Sequence, residues 1–182
     1  MFRYRIVQPG APMIYDMFYD IFDSPVGDII VVQDQQGLRY VDFQDGPSPL
    51  AIAPHWQRDP HPCQAAKRQL TQYFAGNRQQ FDLPIAPQGT DFQQRVWALL
   101  AQIPYGELAT YGQMANRLQQ PSASRAVGMA NGRNPIAIIL PCHRVVGSSR
   151  KLTGYRGGLA IKETLLKLEG IKITDQTVVE PC

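Results

Sequence analysis

The pattern of apolar and polar residues separates a first half rich in strands from a mostly helical second half. Residues 13–22 are apolar and aromatic and predict a strand, while residues 28–33 and 38–43 flank a polar turn and predict a hairpin. Residues 63–75 carry apolar side chains four positions apart and predict a helix. Residues 81–89 contain two prolines and predict a linker to the second half.

Helix start signals organise the second half. Thr90 and Thr110 each stand three residues before a glutamine, and this capping-box spacing predicts a helix beginning directly after each threonine. A short break separates the second of these helices from a third over residues 123–130, for which Ser122 is the predicted N-cap. Two short helices with a tight break are typical of a helix-turn-helix. The small residues of the third helix suit either close approach to a partner or close packing between helices.

These elements predict an α+β protein with two domains. A small antiparallel sheet with one helix forms an N-terminal support domain at residues 1–88, and a mostly helical domain follows at residues 89–173. Within the second domain, residues 136–140 are predicted to be a buried extended segment and residues 159–169 a final helix. Residues 174–182 are predicted to be a flexible tail.

Charge is distributed unevenly along the chain. The formal net charge is +3, yet residues 1–88 carry seven Lys or Arg and nine Asp or Glu, whereas residues 89–182 carry eleven and six. No Asp or Glu occurs between Leu108 and Lys162. A basic segment of this length indicates an anionic partner such as nucleic acid, with a solvated basic face as the alternative.

The cysteines and the apolar runs point to a reducing compartment. Cys63, Cys142 and Cys182 form an odd set without a close pair, which argues against a disulfide framework. The first residues lead into no long apolar run, and no stretch approaches the roughly 20 apolar residues that span a bilayer. We therefore expect a cytoplasmic protein without a signal peptide and without membrane association.

Cys142 is the candidate reactive residue, because His143 follows it inside the basic segment. A thiol reacts as the thiolate, so it needs a neighbouring base or positive charge. Side chains of adjacent residues point to opposite faces of an extended strand, so contact with His143 requires a turn or a bridging water. Glu163 is the first carboxylate after the acid-free segment and is the predicted partner of His143. A buried, inert thiol is the alternative for Cys142, and its lack of companion ligands disfavours a metal.

The run Pro141-Cys142-His143-Arg144-Val145-Val146 resembles the active-site signature of the O6-alkylguanine-DNA alkyltransferases, which are methylated-DNA–protein-cysteine methyltransferases. The resemblance spans about residues 89–170 and includes residues 103–107, 110–113, 124–128, 134–136, 154–158 and 162–163. Residues 1–88 match only loosely. The resemblance implies a ribonuclease H-like N-terminal domain and a winged-helix-like C-terminal domain, as in the free-standing bacterial type.

The resemblance also implies a reaction and its catalytic residues. Cys142 would accept the alkyl group from O6-alkylguanine, and also from O4-alkylthymine, in one irreversible transfer. His143 would act as a base through a water, oriented by Glu163, while Asn134 would brace the turn that holds the Cys142 segment. Tyr111 would lie beside the flipped nucleotide. No cofactor and no metal are implied, and the protein would act as a monomer without an obligate protein partner.

The same resemblance assigns residues that contact DNA. Arg125 would enter the duplex from the minor groove and fill the gap left by the flipped base. The neighbouring contacts to double-stranded DNA would come from Ser124, Ala126, Tyr111 and Arg133. The substrate pocket would be formed by Val145, Tyr155, Arg156 and Gly157. Because Gly157 has no side chain, we expect the pocket to accept adducts as large as benzyl.

Three other functions fit parts of the sequence. A non-enzymatic lesion binder of the alkyltransferase-like type resembles this family, but it replaces the acceptor cysteine that Cys142 provides. A cysteine hydrolase using Cys142 and His143 needs an oxyanion hole and a substrate cleft. A helix-turn-helix regulator needs a dimerisation element to read paired half-sites. The acid-free basic segment favours DNA repair over the hydrolase.

Overall fold

The computed structural model describes residues 16–179. The chain divides into two compact units, Met1–Gln88 and Gly89–Cys182. Among the described residues, the first unit contains a sheet and one helix, and the second contains four α-helices with two short strand pairings, which confirms the α+β prediction. Among the residues described, no helix is both long enough and apolar enough to cross a membrane.

The first unit is a four-stranded sheet packed against one helix. Its strand order is β3-β2-β1-β4, with antiparallel pairing along β3-β2-β1 and a short parallel pairing between β1 and β4. The elements are β1 (Phe18–Phe22), β2 (Ile29–Asp34), β3 (Gly37–Phe43), β4 (Gln57–Arg58) and α1 (Pro60–Phe74). The predicted hairpin is present within one residue at each end. The sheet is mixed rather than purely antiparallel, because β4 adds a parallel edge.

Helix α1 begins three residues before the predicted start. Asp59 caps the helix and accepts a hydrogen bond from the His61 backbone N at 2.9 Å. Pro60 occupies the first turn, where its missing N–H would have no acceptor within the helix. The buried face includes Cys63 and Leu70, both fully buried. Burial raises the pKa of the Cys63 thiol to about 12, so this cysteine is an inert packing residue.

Residues 81–89 were predicted to be a linker, but part of this segment is hydrogen-bonded to β3. Leu38 N donates to Pro84 O at 2.9 Å, Ala86 N donates to Leu38 O at 2.8 Å, and Ile85 is 2% exposed. This segment therefore extends the packing of the first unit along β3. Gly37 makes the close approach possible, because a Cβ at its φ of +131° would lie 2.5 Å from Pro84 O.

The second unit follows the predicted order of helices. Its elements are α2 (Asp91–Leu100), β5 (Ala109–Thr110), α3 (Tyr111–Arg117), α4 (Ser124–Gly132), β6 (Val145–Val146), α5 (Leu159–Leu168), β7 (Ile173–Thr174) and β8 (Thr177–Val178). Both predicted capping boxes, at Thr90 and Thr110, are present. The prediction of Ser122 as an N-cap is wrong, because Ser122 lies in a 3-10 turn at Pro121–Ala123 that runs directly into α4.

Two further expectations for the second unit are wrong. Residues 136–140 are buried as predicted, but they turn instead of extending, and Ile138 has a φ of +69°. The described part of the predicted flexible tail, residues 174–179, instead contributes to β7 and β8, which pair as an antiparallel hairpin with Val178 only 7% exposed. Val178 of the hairpin packs with Leu152 of the loop before α5, and each helps to bury the other. The strands of this hairpin are too short for a periodic sequence pattern that would predict it. Cys182 lies outside the described residues.

Candidate active site and DNA-contacting helix

A tight turn presents Cys142 to the interior of the second unit. Asn134 holds the turn: its Nδ2 donates to Leu140 O at 2.7 Å, and its Oδ1 accepts from Ile136 N at 3.0 Å. Cys142 then begins a 3-10 turn, Cys142–Arg144, and its side chain is 5% exposed. Cys142 and His143 therefore stand on a turn rather than on an extended strand.

His143 is fully buried, and its partner is Glu169. The His143 Nε2 lies 2.8 Å from Glu169 Oε1, and neither side chain is exposed. Burial lowers the pKa of His143, against the opposing hydrogen bond to Glu169 and the charge of that carboxylate, so the ring is neutral near neutral pH. A neutral ring that donates from Nε2 has its lone pair on Nδ1. That Nδ1 is buried and has no hydrogen-bond partner among the residues described.

Glu169 is the centre of a buried polar network. Arg144 binds it in a bidentate manner, with Nε 2.7 Å from Oε2 and Nη2 2.9 Å from Oε1, and Gly106 N donates to Oε2 at 3.2 Å. Arg144 also donates to Ile103 O at 2.6 Å. Burial raises the pKa of Glu169, but the hydrogen bonds from His143 and Arg144, together with the charge of Arg144 and that of His143 once the ring is protonated in acid, outweigh it and hold the pKa at about 2. The carboxylate is therefore ionised at neutral pH.

The prediction that Glu163 orients His143 is wrong. Glu163 lies on α5 with its side chain 29% exposed, and its Oε1 forms an ion pair with Lys167 Nζ at 2.7 Å, one helical turn later. Glu169 stands directly after α5, where the chain turns back toward the 3-10 turn of His143. The reasoning from sequence chose the first carboxylate after the acid-free segment, whereas the geometry selects the second.

Tyr111 joins the neighbourhood of Cys142 from the start of α3. The parallel pairing of Ala109 with Val145 places the two segments side by side. Burial raises the pKa of Tyr111, a hydrogen bond with Thr153 lowers it, charge on Cys142 raises it and a hydrogen bond with Asn131 lowers it. A thiolate at Cys142 therefore lies within electrostatic range of the phenol, and the raised pKa keeps Tyr111 protonated at neutral pH.

Two polar residues absent from the predicted site lie beside Cys142. Lys162 is fully buried, and its Nζ donates to Val145 O at 2.7 Å and to Thr153 O at 3.1 Å. Burial lowers the pKa of Lys162 to about 8, while charge on Cys142 raises it. The attraction is mutual, so the ammonium favours a thiolate at Cys142. Asn131 donates to Cys142 O at 3.4 Å from α4.

Three of the predicted pocket residues lie on the segment after β6, and Val145 lies in β6 itself. Tyr155 and Arg156 are half-buried and Gly157 is buried. Gly158 N donates to Tyr155 O at 2.9 Å, which closes this segment as a turn just before α5. Val145 is fully buried, and its carbonyl already accepts one bond from Lys162. A carbonyl oxygen has two lone pairs, so Val145 O retains capacity for a second donor.

Helix α4 separates a buried face from an exposed face. Arg125, Ala126 and Arg133 are exposed, and Ser124 is half-buried at the first turn. On the other face, Ala130 is buried, and a Cβ at Gly128 would meet the Tyr111 ring at 3.8 Å. The small residues of α4 thus have two roles: on one face they allow close packing between helices, and on the other they leave a surface open to a partner. Met129 is 61% exposed between Arg125 and Arg133, and no sequence pattern predicts this exposed apolar side chain.

Comparison with known proteins agrees with this geometry. A family model described as "6-O-methylguanine DNA methyltransferase, DNA binding domain" matches residues 91–171. A second, described as "6-O-methylguanine DNA methyltransferase, ribonuclease-like domain", matches residues 17–87. Together the two models account for most of the chain.

Relatives of the same description align over nearly their whole length. A methylated-DNA–protein-cysteine methyltransferase of Methanosarcina acetivorans is 53% identical over 85% of this chain and 99% of its own. One from Haemophilus influenzae is 42% identical over 88% and 90%. The crystal structure of Mycobacterium tuberculosis OGT in complex with DNA superposes with a TM-score of 0.78, at 47% identity, over 84% of this chain and 92% of that one. This chain therefore belongs to the methylated-DNA–protein-cysteine methyltransferase family.

Proposed function

We propose that this protein repairs DNA directly by moving an alkyl group from O6 of guanine, or O4 of thymine, to Cys142. The observation that carries the proposal is the buried chain of contacts from Arg144 through Glu169 to His143, beside Cys142. Glu169 fixes the neutral ring with its Nδ1 lone pair available. A water between Nδ1 and the thiol would carry the proton from Cys142 to His143.

The transfer is a displacement at the alkyl carbon. The Cys142 thiolate forms a new S–C bond, the O6–C bond breaks, and guanine leaves with the electron pair on O6. Tyr111, protonated and close to Cys142, is the candidate proton donor to the leaving base. The ammonium of Lys162 stabilises the thiolate before attack. A thioether has no easy leaving group, so each chain reacts once.

The substrate base has to leave the duplex to react. Cys142 is 5% exposed, and O6 of a stacked guanine cannot reach a buried sulfur. The exposed face of α4, with Arg125 and Arg133, is the proposed contact with the minor groove. Arg125 would fill the gap that the flipped nucleotide leaves. The protein is proposed to act as a cytoplasmic monomer.

Intact-mass spectrometry tests the proposal against its rivals. The protein is incubated with one equivalent of duplex DNA carrying O6-methylguanine. We expect a gain of one methyl group on the peptide that contains Cys142. The gain should disappear in Cys142→Ser and persist in Cys63→Ser, because the Cys63 thiol is inert. Tight binding without a mass gain would show a lesion binder, and no binding would favour the hydrolase.

A further inference from the structure

The C-terminal hairpin β7–β8 is bonded to the loop that forms the proposed substrate pocket. We define the pocket loop as residues 147–158. Leu152 N donates to Gln176 O at 2.7 Å, and Val178 N donates to Arg150 O at 3.1 Å. Between these bonds Lys151 and Thr177 form an antiparallel bridge. The first part of the pocket loop is therefore held along the hairpin as an additional short strand. The hairpin begins after residue 171, where the matched DNA-binding family model ends.

Apolar burial reinforces these backbone bonds. Leu152 from the pocket loop and Val178 from the hairpin share one buried cluster with Val146 of β6 and Leu166 of α5. Leu152 is 2% exposed and Val178 is 7% exposed. Removing the hairpin side of this cluster would expose Leu152, so the loop and the hairpin are stabilised together.

A single residue connects the hairpin contacts to the reactive site. Thr153 follows Leu152, its carbonyl accepts from Lys162 Nζ at 3.1 Å, and its side chain lies close enough to Tyr111 to lower the pKa of that phenol. Charge on Cys142 raises the pKa of both Lys162 and Tyr111. A shift of Leu152 would therefore move the partner of both groups.

We propose that hairpin β7–β8 is a positioning element for alkyl transfer. It fixes Leu152, and through Thr153 it sets Tyr111, Lys162 and the pocket loop against Cys142. This inference rests on the proposed function. The hairpin turn is also less than optimally stable, because Asp175 and Gln176 adopt left-handed φ values of +48° and +55°. A two-residue turn with both φ values positive favours glycine at its second position.

Two substitutions that act in opposite directions test the proposal. Val178→Asp weakens the hairpin, and Gln176→Gly strengthens its turn. Amide hydrogen exchange is followed in the hairpin and the pocket loop, and the first-order transfer rate is measured with saturating O6-methylguanine duplex. We expect Val178→Asp to speed exchange in both segments and to slow transfer about tenfold. Gln176→Gly should slow exchange in both segments without slowing transfer.

Ile171→Ala is the matched control. Ile171 packs on the same apolar cluster but lies outside the hairpin, so its loss should lower the melting temperature while changing loop exchange and the saturated rate far less than Val178→Asp does. Faster hairpin exchange in Val178→Asp with an unchanged pocket loop and an unchanged rate would overturn the proposal, as would equal slowing by Ile171→Ala. Absence of transfer by the unsubstituted protein would instead contradict the proposed function. The coupling of amide exchange between the hairpin and the pocket loop would still be measurable in that case.

Discussion

At the scale of single residues, burial and ion pairing decide which basic side chains belong to the site and which lie on the surface. Eight cations between Leu108 and Lys162 suggest a uniformly basic surface. Two of them are not surface groups: Arg144 is 5% exposed and neutralises Glu169, and Lys162 is fully buried beside Cys142. Sequence composition counts these cations equally, because it carries no information about which of them a later carboxylate will neutralise. The position of Glu169, close to His143 only in space, was missed for the same reason.

A matched pair of substitutions separates the two glutamates. Glu169→Gln should slow transfer at least about a hundredfold, because the amide leaves Arg144 without a counterion and orients His143 less strongly. Glu163→Gln makes the same chemical change at the half-exposed pair with Lys167 and should leave the rate within about twofold. Single-turnover rates are compared at a temperature at which circular dichroism shows both variants folded. Equal effects of the two substitutions would contradict the assigned partner.

At the scale of elements, local signals predict helix starts well and irregular segments poorly. The capping boxes at Thr90 and Thr110 place α2 and α3 because the cap is a local arrangement of four residues. The turn at residues 136–140 depends on Asn134 bonding a carbonyl six residues away, and β7–β8 depends on burial against a distant loop. Such contacts leave no periodic pattern in the sequence.

Helix α4 offers a prediction about its two exposed arginines. Arg125→Ala should slow transfer at saturating DNA, since an unfilled gap makes the flipped state less stable by a few kcal/mol. Arg133→Ala should weaken binding to damaged and undamaged duplexes alike and reduce the salt slope by about one, with little change in the saturated rate. Fluorescence anisotropy over a salt series and single-turnover rates separate the two effects. Identical behaviour of both variants would argue against a distinct role for Arg125.

At the scale of the whole molecule, the family match and the α+β architecture agree with expectation. The segments predicted to be a linker and a tail do not, because both are packed. The predicted linker packs along β3, and the predicted tail packs on the pocket loop. The linker segment is rich in proline and glycine, and the strands of the hairpin are only two residues long. Their sequence patterns therefore predict loops, and only the surfaces against which they pack show otherwise. Chain topology, rather than local propensity, decides their structure.

Stability should fall as the pH falls, because two buried groups bind protons more weakly in the folded chain. The pKa of His143 is lowered below 6.5, so stability is lost as the pH falls below that value. The pKa of Glu169 is lowered from 4.5 to about 2, which contributes about 3 kcal/mol above pH 4.5 and is lost toward pH 2. Urea unfolding at several pH values should show a flatter acid limb for Glu169→Gln. Parallel curves for the two proteins would contradict this assignment.

The central claim is that Cys142 accepts one alkyl group and is not regenerated. The most direct measurement is the number of guanines restored per protein chain when duplex O6-methylguanine DNA is in large excess, followed by nucleoside chromatography until the yield stops rising. The account predicts a plateau at about one guanine per chain, with all of the protein carrying a thioether at Cys142, because a thioether is a poor leaving group. Continued restoration well beyond one guanine per chain would contradict it.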